Sequence, residues 1–185
     1  ILRRAPHTLS DAEEAIVAKA GRMTGAGETI REVFKNAEMP YPTLRLSDGK
    51  SVRLDDAAYT QYRALAVRAD RESVFRAFWT AHHDYQGTLG AALNAQIQAH
   101  LFSRDVRKYD SCLEAATFDG NIPTRVYRQL IADVRANLPT LHRYLRLRQR
   151  MMGLKQLKYS DLYAPIVANV DHRYTPEQAM EMTLA

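Results

Sequence analysis

Apolar side chains recur at helical spacing along most of the chain. The apolar residues at positions 30, 33, 34 and 37 stand at i, i+3, i+4 and i+7, which is one face of an α-helix, and Pro40 follows where that helix must end. Similar spacing occurs in further segments, at positions 11–25, 56–70, 74–101, 109–118, 123–134 and 139–153. This pattern predicts a chain that is mainly helical.

The hydrophobic period changes to two only between residues 43 and 54. Apolar residues at positions 44 and 46, and again at 52 and 54, alternate with polar neighbours. Asp48-Gly49, between the two runs, is a turn sequence typical of β-hairpins. The predicted fold class is therefore all-α (mainly helical) with one small β-hairpin near residues 43–54.

Residues that cap helices predict several boundaries. Ser10 and Glu13 have the spacing of a capping box and open the first helix. Asp55 or Asp56 caps the helix after the hairpin, which we expect to end near Asp70.

Glycines and prolines predict the remaining boundaries. The long segment 74–101 is expected to break near Gly87 and Gly90, since each glycine costs about 1 kcal/mol relative to alanine inside a helix. Pro123 and Pro139 each suit a first helical turn, so two successive helices are predicted there. Thr175 with the glutamine three residues later caps a last helix, and the segment 159–170 is expected to be irregular or extended.

The chain carries a net charge of +5, and its densest basic run lies in the predicted helix at 139–153. Successive residues of a helix point in directions about 100° apart around its axis, so the four arginines of this run spread over much of the helix circumference. No nucleic-acid-binding signature accompanies them, so no nucleic acid partner is expected. We predict that these arginines stay mostly hydrated: Arg143, Arg146, Arg148 and Arg150. The apolar residues of the same helix are predicted to be buried: Leu141, Leu145 and Met152.

The sequence predicts neither a membrane span nor an intrachain disulfide. No run of about 20 apolar residues is present, so no membrane span is predicted. The single cysteine, Cys112, cannot form an intrachain disulfide and is typical of a reducing compartment such as the cytoplasm. We interpret Cys112 as a semi-buried packing residue rather than a reactive thiol.

Known catalytic motifs are not found. Zinc peptidases place two histidines four residues apart on a helix so that both reach one ion. None of the six histidines, His7, His82, His83, His100, His142 and His172, has another histidine four residues later. The adjacent pair at 82 and 83 points about 100° apart. The residues alone therefore indicate no catalytic residue and no metal site, and they leave the substrate-binding residues unknown.

Several stretches nevertheless stand out as a set. They are Pro6-His7-Thr8-Leu9-Ser10 with Glu13-Glu14, Ala37 to Thr43, Asp70-Arg71-Glu72 leading to Ala77-Phe78, Arg107 to Ala116 with Asn121-Ile122-Pro123, Leu138 to Tyr144, and Asp161 to Pro165. In order and spacing they resemble the oligoendopeptidase F family, a branch of the thimet-oligopeptidase-like zinc metallopeptidases. The stretch from Arg107 to Ala116 is the most specific. Cys112 departs from the small Ser or Ala expected there.

The resemblance implies a longer, largely helical enzyme with a deep channel that admits unfolded peptides and excludes folded proteins. In this enzyme, a zinc-activated water attacks internal bonds of the short peptides. The family's metal-binding and general-base residues are expected downstream of position 185, so none is carried onto this chain. Residues 1–100 would form the N-terminal helical domain and residues 101–185 the beginning of the catalytic domain. This piece is then expected to be scaffold and channel wall, to bind no zinc and to be inactive alone.

Two other interpretations stay open. The main alternative is a self-contained helical interaction module without enzymatic activity. Nucleic-acid binding through the arginine-rich helix, the weaker one, predicts salt-sensitive retention on heparin. If the chain is an excised segment, uncovered apolar residues should make it self-associate as a symmetric dimer: Leu162, Tyr163, Ile166, Val167, Met180, Met182 and Leu184.

Overall fold

The computed structural model describes residues 2–166 and 174–184. These residues are mainly helical with one two-stranded antiparallel sheet, which confirms the predicted fold class. The helices are α1 (Asp11–Thr24), α2 (Ala26–Val33), α3 (Asp56–Tyr62), α4 (Arg68–Asp84), α5 (Gln86–Val106), α6 (Cys112–Phe118), α7 (Thr124–Met151) and α8 (Pro176–Leu184). The strands are β1 (Thr43–Arg45) and β2 (Ser51–Arg53). Short 3₁₀-helices cover Leu2–His7 and Tyr159–Asp161, and a short π-helix covers Phe34–Glu38.

The hairpin forms as predicted. Leu44 of β1 lies opposite Val52 of β2. Gly49 in the turn has a φ of 85°, a conformation that glycine adopts without a Cβ clash. Leu46, Val52 and Leu54 are buried while their polar neighbours are mostly exposed, as the alternation along a strand requires.

The hydrophobic core lies between the hairpin, α3 and α4. Tyr59 stacks on Phe78 with ring centroids 4.1 Å apart, an arrangement worth about 0.5–1.5 kcal/mol beyond the buried area. Asp55, one of the two predicted caps, accepts a hydrogen bond from the Ala58 N–H at 2.8 Å and so opens α3. The buried members of the core are Met39, Tyr41, Leu46, Val52, Leu54, Tyr59, Val74, Phe78 and Ala81.

The first two helices pack along α5. Helix α1 begins after Ser10, whose backbone N–H donates to the Glu13 carboxylate at 2.9 Å, as the predicted capping box requires. In α2, Gly27 lies so close to α5 that a Cβ there would be 2.7 Å from the carbonyl oxygen of Ala92. This contact between two backbones needs a residue without a side chain.

The helix after the hairpin ends earlier than predicted. Helix α3 stops at Tyr62, and Asp70 lies instead in the first turn of α4. A carboxylate is favoured there because the N-terminus of a helix is partly positive. Asp70 also accepts hydrogen bonds from the backbone N–H and the hydroxyl of Ser47, at 3.0 and 2.6 Å.

The long helical segment breaks as predicted, but two residues before Gly87. Helix α4 ends at Asp84 and α5 begins at Gln86, so the break falls at Tyr85. The Tyr85 backbone leaves the helical region there, with φ −108° and ψ 18°. Gly87 and Gly90 both lie inside the first turns of α5, where the helix tolerates them.

Pro139 does not start a helix, and that prediction is wrong. A single helix, α7, runs from Thr124 to Met151 with Pro139 inside it. A proline in a helix removes one hydrogen bond, and its ring crowds the carbonyl four residues earlier. Every residue from 125 to 144 is exposed, so the freed carbonyl of Arg135 can bond to water instead.

The arginines of α7 are not all hydrated. Arg143, Arg146 and Arg150 are exposed as predicted, but Arg148 is only 4% exposed. Arg148 is the exception because its guanidinium donates to main-chain oxygens of the turn at 159–164.

The apolar side of α7 is more open than predicted. Leu141 is exposed, and Leu145 and Met152 are only half-buried. Leu141 lies on the part of α7 that no described element covers, so the prediction that it is buried is wrong.

The chain after α7 is irregular. Residues 159–161 form a short 3₁₀ turn, followed by bends to residue 166, while positions 167–173, with Val167, lie outside the described residues. Helix α8 begins after Thr175, whose hydroxyl accepts from the Gln178 N–H at 3.2 Å, as predicted. Cys112, at the start of α6, is half-buried. In the described part of the chain, no helix has the length and apolar character needed to cross a bilayer.

Candidate functional site

The histidines that could ligate a metal lie apart. Nδ1 of His82 is 2.9 Å from the carbonyl oxygen one turn earlier in α4, and the neighbouring His83 is exposed. Nε2 of His100 lies 2.9 Å from the side-chain nitrogen of Gln96 on α5. His172 falls outside the described residues.

Zinc, which the resemblance implies, finds no fitting set of ligands in residues 2–166 and 174–184. Structural and catalytic zinc sites take three or four ligands from His, Cys, Asp and Glu around one point. Among the described residues, no group of three or more such side chains could hold a metal ion. No catalytic step through zinc is therefore assigned to these residues.

A cleft of about 610 Å³ opens between α2, α4 and α5. This volume lies within the range of about 300–1,000 Å³ that is usual for ligand-binding pockets. Its apolar wall and its charged residues are Phe78, Trp79, Leu89 and Leu93 against Glu28, Arg31, Lys35 and Asp56.

One side of this cleft is held by a short polar network. The Asp56 carboxylate lies 2.9 Å from Nζ of Lys35 and accepts a hydrogen bond from the Tyr41 hydroxyl at 3.2 Å. Burial and the negative charge of Asp56 raise the pKa of Tyr41 to about 12. Burial acts to raise the pKa of Asp56, but the hydrogen bond and charge of Lys35 outweigh it and lower that pKa. Neither of these two groups exchanges a proton readily near neutral pH.

Asp161 lies at the centre of a cluster of arginines. Its side chain is fully buried and accepts from Arg68 at 3.0 and 2.9 Å and from Arg71 at 3.0 Å. Arg71 is only 2% exposed and also donates to the carbonyls of Leu65 and Ala66, at 2.7 and 2.8 Å. The cluster therefore fixes both the connection before α4 and the turn after α7.

Arg148 connects α7 to the same turn. Its Nε and Nη2 donate to the main-chain oxygen of Asp161 at 3.0 and 2.8 Å, and Nη2 also donates to the Ala164 carbonyl. The five N–H groups of a guanidinium can satisfy several acceptors at once, so one side chain binds both carbonyls of the turn. Through Asp161, α4 and the C-terminal end of α7 are held together.

The negative charge of Asp161 is strongly stabilised. Burial alone would raise the pKa of this carboxyl. The hydrogen bonds from Arg68, from the Lys158 backbone and from Arg71 outweigh burial, so the pKa falls to about 2. A group ionised this firmly is a poor proton donor or acceptor near neutral pH. Its contacts join α4 to the turn after α7.

A second ion-pair cluster joins α1 to the end of α5. Nη1 and Nη2 of Arg107 lie 2.5 and 2.8 Å from the two carboxylate oxygens of Glu14, and these hydrogen bonds lower the pKa of Glu14. His7 stacks on Tyr109 with ring centroids 4.0 Å apart. Nδ1 of His7 also lies 2.8 Å from the main-chain oxygen of Arg107.

Neither cluster is visible as a local pattern in the sequence. Arg71 and Asp161 are 90 positions apart, and Glu14 and Arg107 are 93 apart. A signal was present all the same, because each of these four residues lies in one of the stretches that carry the family resemblance. In space, those stretches contact one another in pairs.

Comparison with known proteins covers the whole chain. The family profile described as Peptidase family M3 matches residues 61–184, and the one described as Oligopeptidase F matches residues 1–41. Oligopeptidase PepF of Bacillus subtilis is 30% identical over 184 residues, which are 100% of this chain and 28% of that protein. Group B oligopeptidase PepB of Streptococcus agalactiae is 31% identical, covering 98% of this chain and 30% of its own length.

Solved structures agree with these matches. The crystal structure of oligoendopeptidase-F from Enterococcus faecium superposes with a TM-score of 0.88 and 31% identity, over 92% of this chain and 33% of that one. The crystal structure of a putative peptidase from Chlamydophila abortus gives a TM-score of 0.89 and 32% identity, over 98% of this chain and 30% of that chain. The chain thus spans about 30% of the length of these relatives. Its sequence and its fold both place this chain in peptidase family M3, in the oligoendopeptidase F branch.

Proposed function

We propose that this chain is part of a zinc-dependent oligoendopeptidase that hydrolyses internal bonds of short, unfolded peptides. Within that enzyme it contributes scaffold and channel wall. The observation that carries the proposal is the family match along the chain, together with a TM-score of 0.89 to a solved peptidase. The curated relatives with this match are named as oligopeptidases.

Two polar clusters among the described residues support the scaffold role. Asp161 with its three arginines holds α4 against the end of α7, and Glu14 with Arg107 holds α1 against the end of α5. We propose that the zinc ligands and the general base lie in the part of the longer protein that this chain does not span. Zinc, when bound there, would activate the attacking water.

The division of the chain and its cellular location complete the proposal. Residues 1–100 would be the N-terminal helical domain, and residues 101–185 the first part of the catalytic domain. A cytoplasmic setting is supported by the single, half-buried cysteine, which needs no oxidising compartment.

A chimera tests this proposal directly. The matched segment of the Bacillus subtilis relative, 28% of its length, is replaced by residues 1–185. The chimera should hydrolyse an internally quenched oligopeptide, lose that activity to a chelator, regain it with zinc and spare a folded protein. A chimera that folds by circular dichroism and binds zinc but cleaves nothing would contradict the proposal.

The chain alone gives the complementary test. After exhaustive dialysis it should hold no stoichiometric zinc, and it should not cleave the quenched peptide, since no two histidines have metal-binding spacing. Stoichiometric zinc that disappears with His82→Ala or His100→Ala would show that the piece has a metal site of its own.

A self-contained interaction module is the second candidate function. It is favoured by the exposed apolar residues on α7 and by exposed Met180, Met182 and Leu184 on α8. Self-association through Leu162, Tyr163, Ile166 and Val167 and through these residues of α8 remains a prediction. Light scattering with size-exclusion chromatography tests it. A chain with high-affinity partners and an inactive chimera would favour the module.

A further inference from the structure

The middle of α7 is exposed on every side. All residues from 125 to 144 are exposed, although the helix continues through them without a break. At about 1.5 Å per residue this stretch is roughly 30 Å long. Most helical stability in proteins comes from packing an amphipathic face, and isolated helices are marginal in water. A stretch of this length is therefore expected to have a partner.

The exposed stretch carries a regular apolar seam. We define the α7 seam as Tyr127, Ile131, Val134, Leu138 and Leu141, each of which is 37 to 55% exposed. The steps between them alternate between four and three residues. This is the heptad spacing by which two helices pair along a common seam.

The same spacing continues into the part of α7 that is covered. The next positions are Leu145, Arg148 and Met152, which are half-buried, buried and half-buried. There, Arg148 contacts the turn through the carbonyls of Asp161 and Ala164. One helix face is thus used for packing at its C-terminal end and left open along the α7 seam.

Positive charge lines one edge of the α7 seam. At about 100° per residue, six exposed arginines fall within an arc of about 80° beside the seam. They are Arg125, Arg128, Arg135, Arg143, Arg146 and Arg150. Within the described part of the chain, none of them forms an ion pair. The single acidic residue of α7, Asp133, already accepts from Gln129 at 2.7 Å.

We propose that the α7 seam is a docking surface for an amphipathic helix whose apolar stripe is edged by carboxylates. The longer protein would supply this helix from sequence outside the matched segment. That segment is 28 to 33% of the relatives, so about two thirds or more of their length lies outside it. This assignment of the source rests on the proposed function. A second copy of the chain is less suitable, because an antiparallel pair would bring two rows of arginines together.

Two synthetic peptides test the surface with the 185-residue chain itself. Both peptides have leucine at every position that would face the α7 seam. They differ only at the positions beside these leucines, which are glutamate in one peptide and lysine in the other. By fluorescence anisotropy, the glutamate peptide should bind at least about tenfold more tightly than the lysine peptide, a difference that shrinks at high salt. Val134→Asp in the seam should abolish binding. Ile97→Asp on α5, where Ile97 is 45% exposed, is the matched control and should not change it.

A charge exchange provides the second variant. Arg128→Glu with Arg135→Glu leaves the seam intact and should reverse the preference, so that the lysine peptide binds better. Circular dichroism shows that each variant keeps its helices. Equal binding of the two peptides, binding that ignores Val134→Asp, or a homodimer that Val134→Asp dissolves would each overturn the proposal. Peptide binding requires no hydrolysis, so the two proposals can fail separately. If the chimera is inactive but the chain binds the glutamate peptide, the proposed function is rejected and the docking surface is kept.

Discussion

Helices α4 and α7 are both long and amphipathic, yet they end up in opposite surroundings. In α4, Val74 and Phe78 are 0 and 3% exposed, because the hairpin and α3 cover them. In α7, Leu138 and Leu141 are 37 and 49% exposed. The two helices differ in what is packed against them, while both show the apolar spacing of a helix that packs.

The difference shows what hydrophobic spacing can and cannot say. It identifies the face of a helix that packs, but it does not say whether the partner belongs to the same stretch of chain. The core around α4 has its partners within residues 39–81. The α7 seam has no described partner, so the stability of this chain should reside mainly in the α4 core.

Phe78→Ala should have the largest effect and Leu138→Ala is its matched partner. Removing a buried phenylalanine costs about 3–5 kcal/mol, from lost burial and from the cavity left behind. Leu138→Ala on the open part of α7 should change the unfolding free energy by only about 0.5 kcal/mol. Urea denaturation followed by circular dichroism measures both. Similar losses in the two variants would mean that something covers α7 in solution.

Asp161→Asn should cost about 3 kcal/mol, because it leaves the buried charge of Arg71 without its carboxylate. The control is Glu14→Gln in the second ion-pair cluster. There Arg107 and Glu14 are each 32% exposed, so water can replace the lost contact and the loss should be smaller. A larger loss for Glu14→Gln would show that the α1–α5 contact, not Asp161, holds the chain together.

The same aspartate predicts how stability depends on pH. Its pKa of about 2 in the folded chain lies below the ordinary value of 3.8 that applies when the chain unfolds. Its contribution is therefore complete above the unfolded value and is lost as the pH falls through the folded one. Between about pH 5 and pH 2, the original chain should lose about 2 kcal/mol more than Asp161→Asn. If the original chain and Asp161→Asn lose the same stability between about pH 5 and pH 2, this role of Asp161 is contradicted.

Two glycines sharpen the comparison at a smaller scale. A Cβ at Gly27 would lie 2.7 Å from the Ala92 carbonyl oxygen and 3.0 Å from the Ala95 Cβ, so Gly27→Ala must push α2 away from α5 and should cost about 1–3 kcal/mol. Gly21, inside α1, has nothing within 4 Å of such a Cβ, and Gly21→Ala should stabilise by about 0.4–1 kcal/mol. The melting temperature should therefore fall for Gly27→Ala and rise for Gly21→Ala. An unchanged or higher melting temperature for Gly27→Ala would show that α2 and α5 can move apart freely.

Much of the fold follows from local signals in the sequence. Alternating apolar residues and Asp48-Gly49 predict the hairpin, and Ser10, Asp55 and Thr175 predict three helix starts that the structure confirms. These features depend on residues close together in the chain. Local chemistry is therefore enough to find them.

Other features depend on contacts that local patterns do not reveal. Pro139 predicts a helix start, yet solvent around α7 allows the helix to continue. Arg148 belongs to a run of arginines and is nevertheless buried, because a turn more than ten residues later offers it carbonyl oxygens. Neither result can be read from a window of neighbouring residues.

The smallest effects concern the junction where α7 passes from covered to open. Leu145 is half-buried, so Leu145→Ala should cost about 1 kcal/mol, less than the 2–5 kcal/mol of a fully buried leucine. Arg146 is exposed on the basic edge, and Arg146→Ala should stay within about 0.5 kcal/mol. Chemical denaturation of both variants beside Leu138→Ala should rank the three losses with Leu145 first. If Arg146→Ala costs the most, α7 is rotated relative to the turn that Arg148 holds, and the open seam faces another direction.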